Sequence, residues 1–498
     1  MGGVGREKPF PPGRYDVVVV GSGPGGLQTS YCLRRFGVGN HAVLSADPGP
    51  AGMFRRFPIF ERLISWTKPE APFAPGTREY EWYDHNSLLG DEHEHRALVP
   101  KFMDRTFDVP SRQEMEAALV AFTERTGLRV RYDCRWQSTQ RDESGFVLAT
   151  TDGEYRCRAV VFAIGVTDPW KSPIPGVEAA PHYVETRSAE TYRGKRVFII
   201  GKRNSGFEVA HGLLPWAREL VLASPRPVQT ARLALSPLRV RYLQPYDEYV
   251  RGGSGAFVLD AAIDRIERRA NGYRILTSGT THPGESEFEA DEVIVATGFR
   301  APLGDLPQLG VATVADGRLP AQTAFWESVS LPGVYFAGNV TQASPGLRKQ
   351  GLSSSSTSVN GFRYNARVLA RHLAETHFGI ALERPLLALD AVVPYLLSEL
   401  ARAPELWIQK GYLARVLSFD GGSVRNEGIL PLEHFVDSGG SDAVSVTVEL
   451  DRQATIYPAL YVRRGGRIEE FALPSNPLHD FETPEHRSEL TARLNGLL

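Results

Sequence analysis

Residues 16–26 read DVVVVGSGPGG, an apolar run that enters a glycine-rich turn. A helical pattern follows, and a second short apolar run occupies residues 42–44. The order is strand, helix, strand, with the spacing G-x-G-x-x-G where the first strand meets the helix. The first glycine of such a motif permits a tight turn, the second lets a pyrophosphate approach, and the third lets helix and strand pack closely. We therefore predict that Gly21, Gly23 and Gly26 bind a dinucleotide at the helix N-terminus.

A second pattern of the same kind occupies residues 196–206, RVFIIGKRNSG. It is imperfect, because Arg203 stands where the middle glycine normally lies, and a side chain there would obstruct a pyrophosphate. Two interpretations stay open. Arg203 turns outward and pairs with a phosphate, for which a guanidinium group is well suited, or nucleotide binding is weakened and the fold persists as a scaffold. We favour retained binding.

Two further apolar strands end in glycine and frame the second motif. They are residues 160–165, VVFAIG, and residues 293–298, VIVATG. This order is expected when one dinucleotide-binding domain is inserted into another. We predict an α/β protein in which Gly165 and Gly298 lie at the nucleotide-binding ends of their strands. The predicted domains are a first domain of residues 1–167 and 299–380, an inserted domain of residues 168–298, and a C-terminal α+β domain of residues 381–498.

The composition is that of an average soluble globular protein. Of the 498 residues, 42% are hydrophobic and 23% are charged, which excludes a largely disordered chain. With 56 basic and 58 acidic side chains, the formal net charge is -2. No strong field is present to attract nucleic acid or an anionic membrane, so the composition favours an enzyme acting on a small molecule.

The cysteines exclude one class of redox enzyme. Cys32, Cys134 and Cys157 are far apart and form no C-x-x-C pair, so neither a disulfide framework nor a thiol–disulfide reductase fits. This usage is typical of a reducing compartment. No apolar run approaches the roughly 18 residues that cross a bilayer, and residues 1–15 lack the pattern of a secretory signal. We therefore expect a cytoplasmic location.

A family resemblance appears once these motifs are combined. The two glycine motifs, ATG at residues 296–298 and GVYFAGN at residues 333–339 resemble two-dinucleotide-binding flavoproteins. Residues 174–206 are similar to the linker and NADPH site of flavin-containing monooxygenases. A closer resemblance is to the FAD-dependent oxidoreductase-domain family whose vertebrate member is the endoplasmic-reticulum flavoprotein associated with degradation. It is carried by RLIS at 62–65, WYDHNSLL at 82–89, RK at 348–349 and GFRY at 361–364.

The resemblance implies FAD in a Rossmann-like three-layer domain and NADPH in the inserted Rossmann domain. The residues that it places on FAD are Gly21, Gly23, Gly26, Gly165, Gly338, Asn339 and Arg348. Those that it places on NADPH are Gly201, Arg203, Asn204, Ser205, Gly206 and Gly298. Asn339 keeps an acceptor oxygen where many relatives carry an aspartate that binds the ribityl chain.

Two further assignments carry open alternatives. The family's ribose-binding acid normally ends the second strand, where Ser45 stands, and Asp47 is our candidate instead; its alternative is a surface turn before Pro48. Arg226 lies where a 2′-phosphate clamp is expected and favours NADPH over NADH, with a solvated arginine as the alternative. Arg348 precedes a helix whose N-terminal dipole would face the flavin, or belongs to a serine-rich loop.

Asn86 is the candidate catalytic residue. In flavin monooxygenases an asparagine near the ring supports the C4a-hydroperoxide, and the alternative for Asn86 is a helix or turn cap. The run DEHEH at residues 91–95 is interpreted as a solvated loop and not as a metal site, because no partner cluster supplies further ligands.

Three functions stay open. The first is an NAD(P)H-using monooxygenase that transfers one oxygen from O2 to a small molecule, by N-hydroxylation in a biosynthetic reaction, through a flavin C4a-hydroperoxide. The second is a flavin oxidase or dehydrogenase reduced by its substrate, which Arg203 would favour. The third is a flavoprotein scaffold that binds a protein partner. The C-terminal region does not reveal whether it covers the active site, forms a homodimer or binds such a partner.

Overall fold

The computed structural model describes residues 8–228, 232–233, 236–237, 255–347, 349, 354–453 and 455–497. They form two compact units. The first unit comprises Met1–Arg55, Arg62–Val166 and Ala301–Leu498 as far as these are described, and the second comprises Arg56–Glu61 and Thr167–Arg300. The finer division into a flavin domain and a C-terminal domain stays a prediction.

Both units contain parallel and antiparallel strands. In chain order the strands are β1 Gly13–Val20, β2 His41–Leu44, β3 Trp136–Asp142, β4 Gly145–Thr150, β5 Gly153–Phe162, β6 Asp168–Pro169, β7 Arg196–Ile200, β8 Glu219–Ser224, β9 Arg232–Leu233, β10 Ser236–Pro237, β11 Ala256–Arg269, β12 Gly272–Gly279, β13 Glu285–Ala290, β14 Glu292–Val295, β15 Phe299–Arg300, β16 Thr313–Val314, β17 Leu319–Pro320, β18 Val334–Phe336, β19 Leu386–Leu387, β20 Leu413–Asp420, β21 Ser423–Pro431, β22 Ala443–Leu450, β23 Ile456–Arg464 and β24 Arg467–Ala472.

The helices concentrate in the first unit. In chain order they are α1 Pro24–Arg35, α2 Val99–Phe102, α3 Arg112–Arg125, α4 Asn204–Leu213, α5 Leu306–Leu309, α6 Val359–Phe378, α7 Val392–Arg402, α8 Pro404–Ile408, α9 Leu432–Asp437 and α10 Pro484–Leu494. None of those in the described part of the chain is long and apolar enough to cross a membrane.

The first sheet of the first unit carries the N-terminal glycine motif. Its strand order is β2-β1-β5-β4-β3, and β18 adds to β5 in parallel. Alternate side chains of β1 point to opposite faces, so Val17 packs in a core with α1 and α6, whereas Val18 packs in a second core with β4 and β18. This layering places the carboxyl end of β1 beside the start of α1.

The last residues of the first unit build an antiparallel sheet covered by helices. Its strand order is β19-β21-β20-β22-β23-β24. The helices α7, α8 and α10 bury Leu396, Trp407 and Leu490 against Val446 and Leu460 of the sheet. The arrangement is the α+β type predicted for this region.

The second unit is built on a second Rossmann-like sheet. Its strand order is β13-β12-β11-β8-β7-β14, with parallel pairing among β14, β7, β8 and β11 and antiparallel pairing from β11 to β13. Val209 and Leu213 of α4 pack on Ile199 and Leu222. Residues 56–61 also pack in this unit: the Phe60 amide donates to Glu208 Oε1 at 2.8 Å, and the Phe57 ring lies 5.9 Å from that of Tyr183.

One half-buried histidine of α6, His372, makes the stability of the first unit depend on pH. The His372 ring stacks on Phe325 with the ring centres 4.0 Å apart. Burial, and then the charges of His377 and His434, lower the pKa of His372 to about 4. The unfolded value is about 6.5. Because the unfolded chain takes up a proton on His372 more readily than the folded protein, protonation favours unfolding. The stability associated with neutral His372 is therefore fully present above pH 6.5 and is lost as the pH falls from 6.5 towards 4.

We expect the urea midpoint to decrease between pH 7.5 and pH 5, with His372 contributing on the order of 2 kcal/mol. In His372→Phe this decrease should be smaller, because the phenylalanine ring keeps the stack and does not titrate. An unchanged decrease in His372→Phe would contradict the assignment.

Candidate functional site

The turn after β1 requires glycine at two of its three motif positions for packing. Gly21 has φ +116°, and a Cβ on it would lie 2.3 Å from the carbonyl oxygen of Ala163. A Cβ on Gly26 would lie 1.9 Å from the carbonyl oxygen of Gly21. Helix and strand can therefore meet only through hydrogen atoms at these positions, as the sequence motif predicts.

Gly23 has a different role, because the space beside it is open. It is the N-cap of α1, and a Cβ on it would meet only the Cα of Gly52, at 4.0 Å. The first turn of α1 holds no acidic residue, and no side chain caps it. Its N–H groups thus present an open anion site that fits the pyrophosphate of FAD.

A second close backbone contact, between Gly25 and Gly338, lies beside this turn. We call residues 21–26 together with residues 338–339 the FAD cradle. A Cβ on Gly25 would lie 2.4 Å from the Cα of Gly338, which has φ +80°. Asn339 follows Gly338 and is half-buried, and its side chain makes no hydrogen bond with a described residue. Its amide is available for the ribityl contact that the sequence predicts.

At the end of β2, where relatives carry the acidic residue that binds the ribose, this chain has a serine. Ser45 is buried directly after β2, and its hydroxyl lies 2.8 Å from that of Ser22 in the glycine turn. The Asp47 amide donates to Ser45 Oγ at 3.2 Å. Asp47 is half-buried and is the acidic residue at this end of β2. Its role on the ribose stays a prediction.

The turn of the second unit repeats the packing of the first. A Cβ on Gly201 would lie 2.4 Å from the Ala296 carbonyl oxygen, and one on Gly206 would lie 2.1 Å from the Gly201 carbonyl oxygen. Arg203 is the N-cap of α4 in an extended conformation, with φ -107° and ψ -166°. Its side chain is exposed and makes no hydrogen bond with a described residue. This geometry favours the outward interpretation.

The other predicted NADPH residues are also in the second unit. Asn204 is exposed and Ser205 half-buried in the first turn of α4, which holds no acidic residue. Gly298 follows β14 with φ +107°, and Arg226 is exposed after β8. Sequence reasoning missed Lys202, which is buried and pairs with Asp260. No local pattern links these two residues, because they are brought together only by the sheet.

Asn86 lies in a buried polar cluster of the first unit. It is 1% exposed, and its amide nitrogen donates to the Ser65 carbonyl and to Thr67 Oγ1, both at 2.9 Å. Asp84 Oδ1 accepts from Thr67 Oγ1 and from the Asn86 and Ser87 amides. Both amide hydrogens of Asn86 are engaged, but neither bond is that of a cap, which accepts from a backbone N–H. The catalytic role of Asn86 stays a prediction.

Gly165 and residues 91–95 lie in the first unit. Gly165 follows β5 with φ +74°. Arg348 lies outside the described residues. In the 91–95 run, Asp91 pairs with Arg35 and Arg367, and Glu92 pairs with Arg35.

The three cysteines are buried and unpaired. Burial raises the pKa of Cys157 to about 12 and raises that of Cys32. Since the thiolate is the reactive form, the raised pKa values keep Cys32 and Cys157 as unreactive thiols at neutral pH.

Comparisons with known proteins agree with this geometry. Residues 18–338 match the family model described as pyridine nucleotide-disulphide oxidoreductase. The chain is 25% identical over 478 residues to FAD-dependent oxidoreductase domain-containing protein 2 of Danio rerio, covering 84% of this chain and 67% of that protein. It is 26% identical over 403 residues to the protein of that name in Mus musculus, covering 73% of this chain but only 58% of that protein.

Solved structures share the fold of the described core. A flavin-containing monooxygenase from Stenotrophomonas maltophilia matches with TM-score 0.53 and 22% identity, over 72% of this chain and 98% of its own. The bacillithiol disulfide reductase of Staphylococcus aureus matches with TM-score 0.55 and 15% identity, over 73% and 99%. These matches confirm the predicted α/β fold with two dinucleotide-binding parts.

Proposed function

This chain belongs to the pyridine nucleotide-disulphide oxidoreductase family and is an FAD- and NADP(H)-dependent oxidoreductase, and we propose that it is a monooxygenase. The proposed reaction transfers one oxygen atom from O2 to a nitrogen atom of a small-molecule substrate. The fold likeness to the flavin-containing monooxygenase and to an ornithine N-hydroxylase from Kutzneria, with TM-score 0.54 and 16% identity, agrees with this proposal.

The observation that carries the proposal is the state of the cysteines. A disulfide reductase that works through a dithiol needs a reactive cysteine pair, and the three cysteines here are buried and form no pair. Electrons from NADPH therefore have no dithiol in this chain to reach. When bound, FAD would supply the chemistry that accepts the hydride of NADPH and reacts with O2. In this proposal the reduced flavin therefore passes its electrons to O2 and not to a thiol of the chain.

The chain's own residues bind and orient the two nucleotides. In this proposal the open N-terminus of α1 at Gly23 holds the FAD pyrophosphate, while Asn339 and Asp47 hold the ribityl chain and the ribose. Arg203 and the N-terminus of α4 hold the NADPH pyrophosphate, and Arg226 holds the 2′-phosphate.

The test is anaerobic mixing of the FAD-loaded protein with NADPH and, separately, with NADH, following flavin absorbance. We expect bleaching by NADPH. Admission of ¹⁸O2 with candidate amines should then place one labelled atom in the product. No bleaching by either nucleotide, with or without amines, would reject the monooxygenase in favour of an oxidase reduced by its substrate.

Replacement of Arg203 separates the two interpretations of the second motif. We expect Arg203→Ala to weaken NADPH binding about fivefold to tenfold, because one charge-assisted hydrogen bond to phosphate is lost. FAD content should be unchanged, which serves as the internal control. Isothermal titration with NADPH measures the effect. Tighter binding by Arg203→Gly, which restores the usual motif, would show that the arginine obstructs the nucleotide.

A further inference from the structure

Lys410 is a cation without a carboxylate partner. It lies in the turn between α8 and β20, in which Gly411 has φ +62°. Lys410 is half-buried; its Nζ donates to the carbonyl oxygen of Trp407 and lies 5.4 Å from the centre of the Trp407 ring. No acidic group of the described residues lies within ion-pair distance of it. A half-buried charge is costly unless it is paired, so this position calls for an anion.

The groups around Lys410 are aromatic or neutral. The Trp407 ring centre lies 4.4 Å from that of Trp82 and 5.2 Å from that of His479. Burial, then the Arg363 charge and, more weakly, the Lys410 charge lower the pKa of His85 to about 4, against the opposing effect of Asp84. Burial and then Lys410 also lower the pKa of His479. Both imidazoles are neutral at pH 7, so neither adds a positive charge beside that of Lys410.

The amine itself remains mostly protonated at neutral pH. Burial lowers the pKa of Lys410 to about 8, and no carboxylate opposes that decrease. An ammonium group beside tryptophan rings favours a ligand that combines a carboxylate with an apolar or aromatic body.

The neighbouring residue connects this turn to the predicted flavin-binding elements. Gln409 is fully buried, accepts a hydrogen bond from the Ser355 amide at 2.8 Å, and donates to Asn365 Oδ1 at 2.8 Å. Asn365 in turn donates to Thr341 Oγ1 at 3.1 Å, in the short helix that begins at Gly338. The turn that carries Lys410 is therefore fixed to the end of the FAD cradle.

We propose that Lys410 binds a carboxylate group of the substrate. The proposal rests on the proposed function for the identity of the ligand as a substrate, and it makes the substrate class an organic carboxylate. Lys410 is then a specificity residue that the C-terminal region contributes to the redox site.

The test uses the oxidised FAD-loaded protein with benzoate as the probe and benzamide as its uncharged isostere. Benzoate should bind about tenfold more tightly than benzamide, as measured by tryptophan fluorescence. Lys410→Met should remove this preference and Lys410→Arg should retain most of it. Lys101→Met, at an exposed lysine of α2, is the matched control and should behave as the unmodified protein. Equal binding of both probes, or an unchanged preference in Lys410→Met, would overturn the proposal.

A second measurement needs no variant and guards against misfolding of Lys410→Met. Limited acetylation with acetic anhydride at pH 8, followed by peptide mass spectrometry, should modify Lys410, and benzoate should protect it while leaving Lys101 unprotected. Absence of protection overturns the proposal. Neither readout requires NADPH or O2, so a failure here is distinguishable from a failure of flavin bleaching by NADPH.

Discussion

Alanine at Gly23 is expected to leave the apoprotein folded and to lower its FAD affinity about a hundredfold, or about 2.7 kcal/mol. The added Cβ meets only the Cα of Gly52 at 4.0 Å, an ordinary contact, so the fold tolerates it. The same methyl group would occupy the space through which a pyrophosphate approaches the N-terminus of α1. The measurement is the FAD content of the purified protein together with a titration of the apoprotein.

Gly26→Ala is the matched contrast within the same turn. Its Cβ would lie 1.9 Å from the Gly21 carbonyl oxygen, so strand and helix must separate, and we expect an unstable protein as well as lost FAD. Gly39→Ala meets no atom within 4 Å and should change neither property. If Gly23→Ala kept full FAD affinity, the first motif would not hold the pyrophosphate.

Glu399→Gln is expected to destabilise the first unit by about 3 kcal/mol. Glu399 is 7% exposed; its carboxylate accepts two hydrogen bonds from Arg78, at 2.6 and 3.0 Å, and one from Arg415 at 2.8 Å. Burial raises the pKa of this carboxyl, but Arg78 and Arg415 outweigh burial and lower it. The glutamine would leave Arg415, which is 11% exposed, without its anion. The urea midpoint measures the loss.

The exposed pair of Arg105 and Glu70 provides the control for this prediction. Their side chains are 64% and 85% exposed, so Glu70→Gln should change the free energy of unfolding by less than about 0.5 kcal/mol. Equal midpoints for Glu399→Gln and Glu70→Gln would contradict a structural role for the buried cluster.

The sequence predicts both glycine turns because their signal is local. Each turn combines an apolar strand, glycines at fixed spacing and a helix within about 20 residues. The first and last glycines of each turn are required by close contacts inside that unit. The outward side chain of Arg203 was one of two open interpretations, because sequence alone does not give the conformation of an N-cap.

Other parts of the site depend on residues far apart in the chain. The cluster of Arg78 and Glu399 joins positions 321 residues apart, and Gln409 contacts Asn365 across 44 residues. No periodicity or motif marks such pairs before the fold is known. Lys410 lies in the C-terminal region, which has no glycine motif, so its sequence alone predicts no binding role for this lysine.

The packing of residues 56–61 means that the second unit is not encoded as one continuous piece. A fragment covering residues 167–300 would lack the Phe57 ring that packs against Tyr183 and the Phe60 amide that binds Glu208. In such a truncation, Glu208 and the helix surface at Gly212, which Phe60 covers, would face solvent. A fusion that joins 56–61 to that fragment through a short linker is thus the smaller polypeptide that retains these partners.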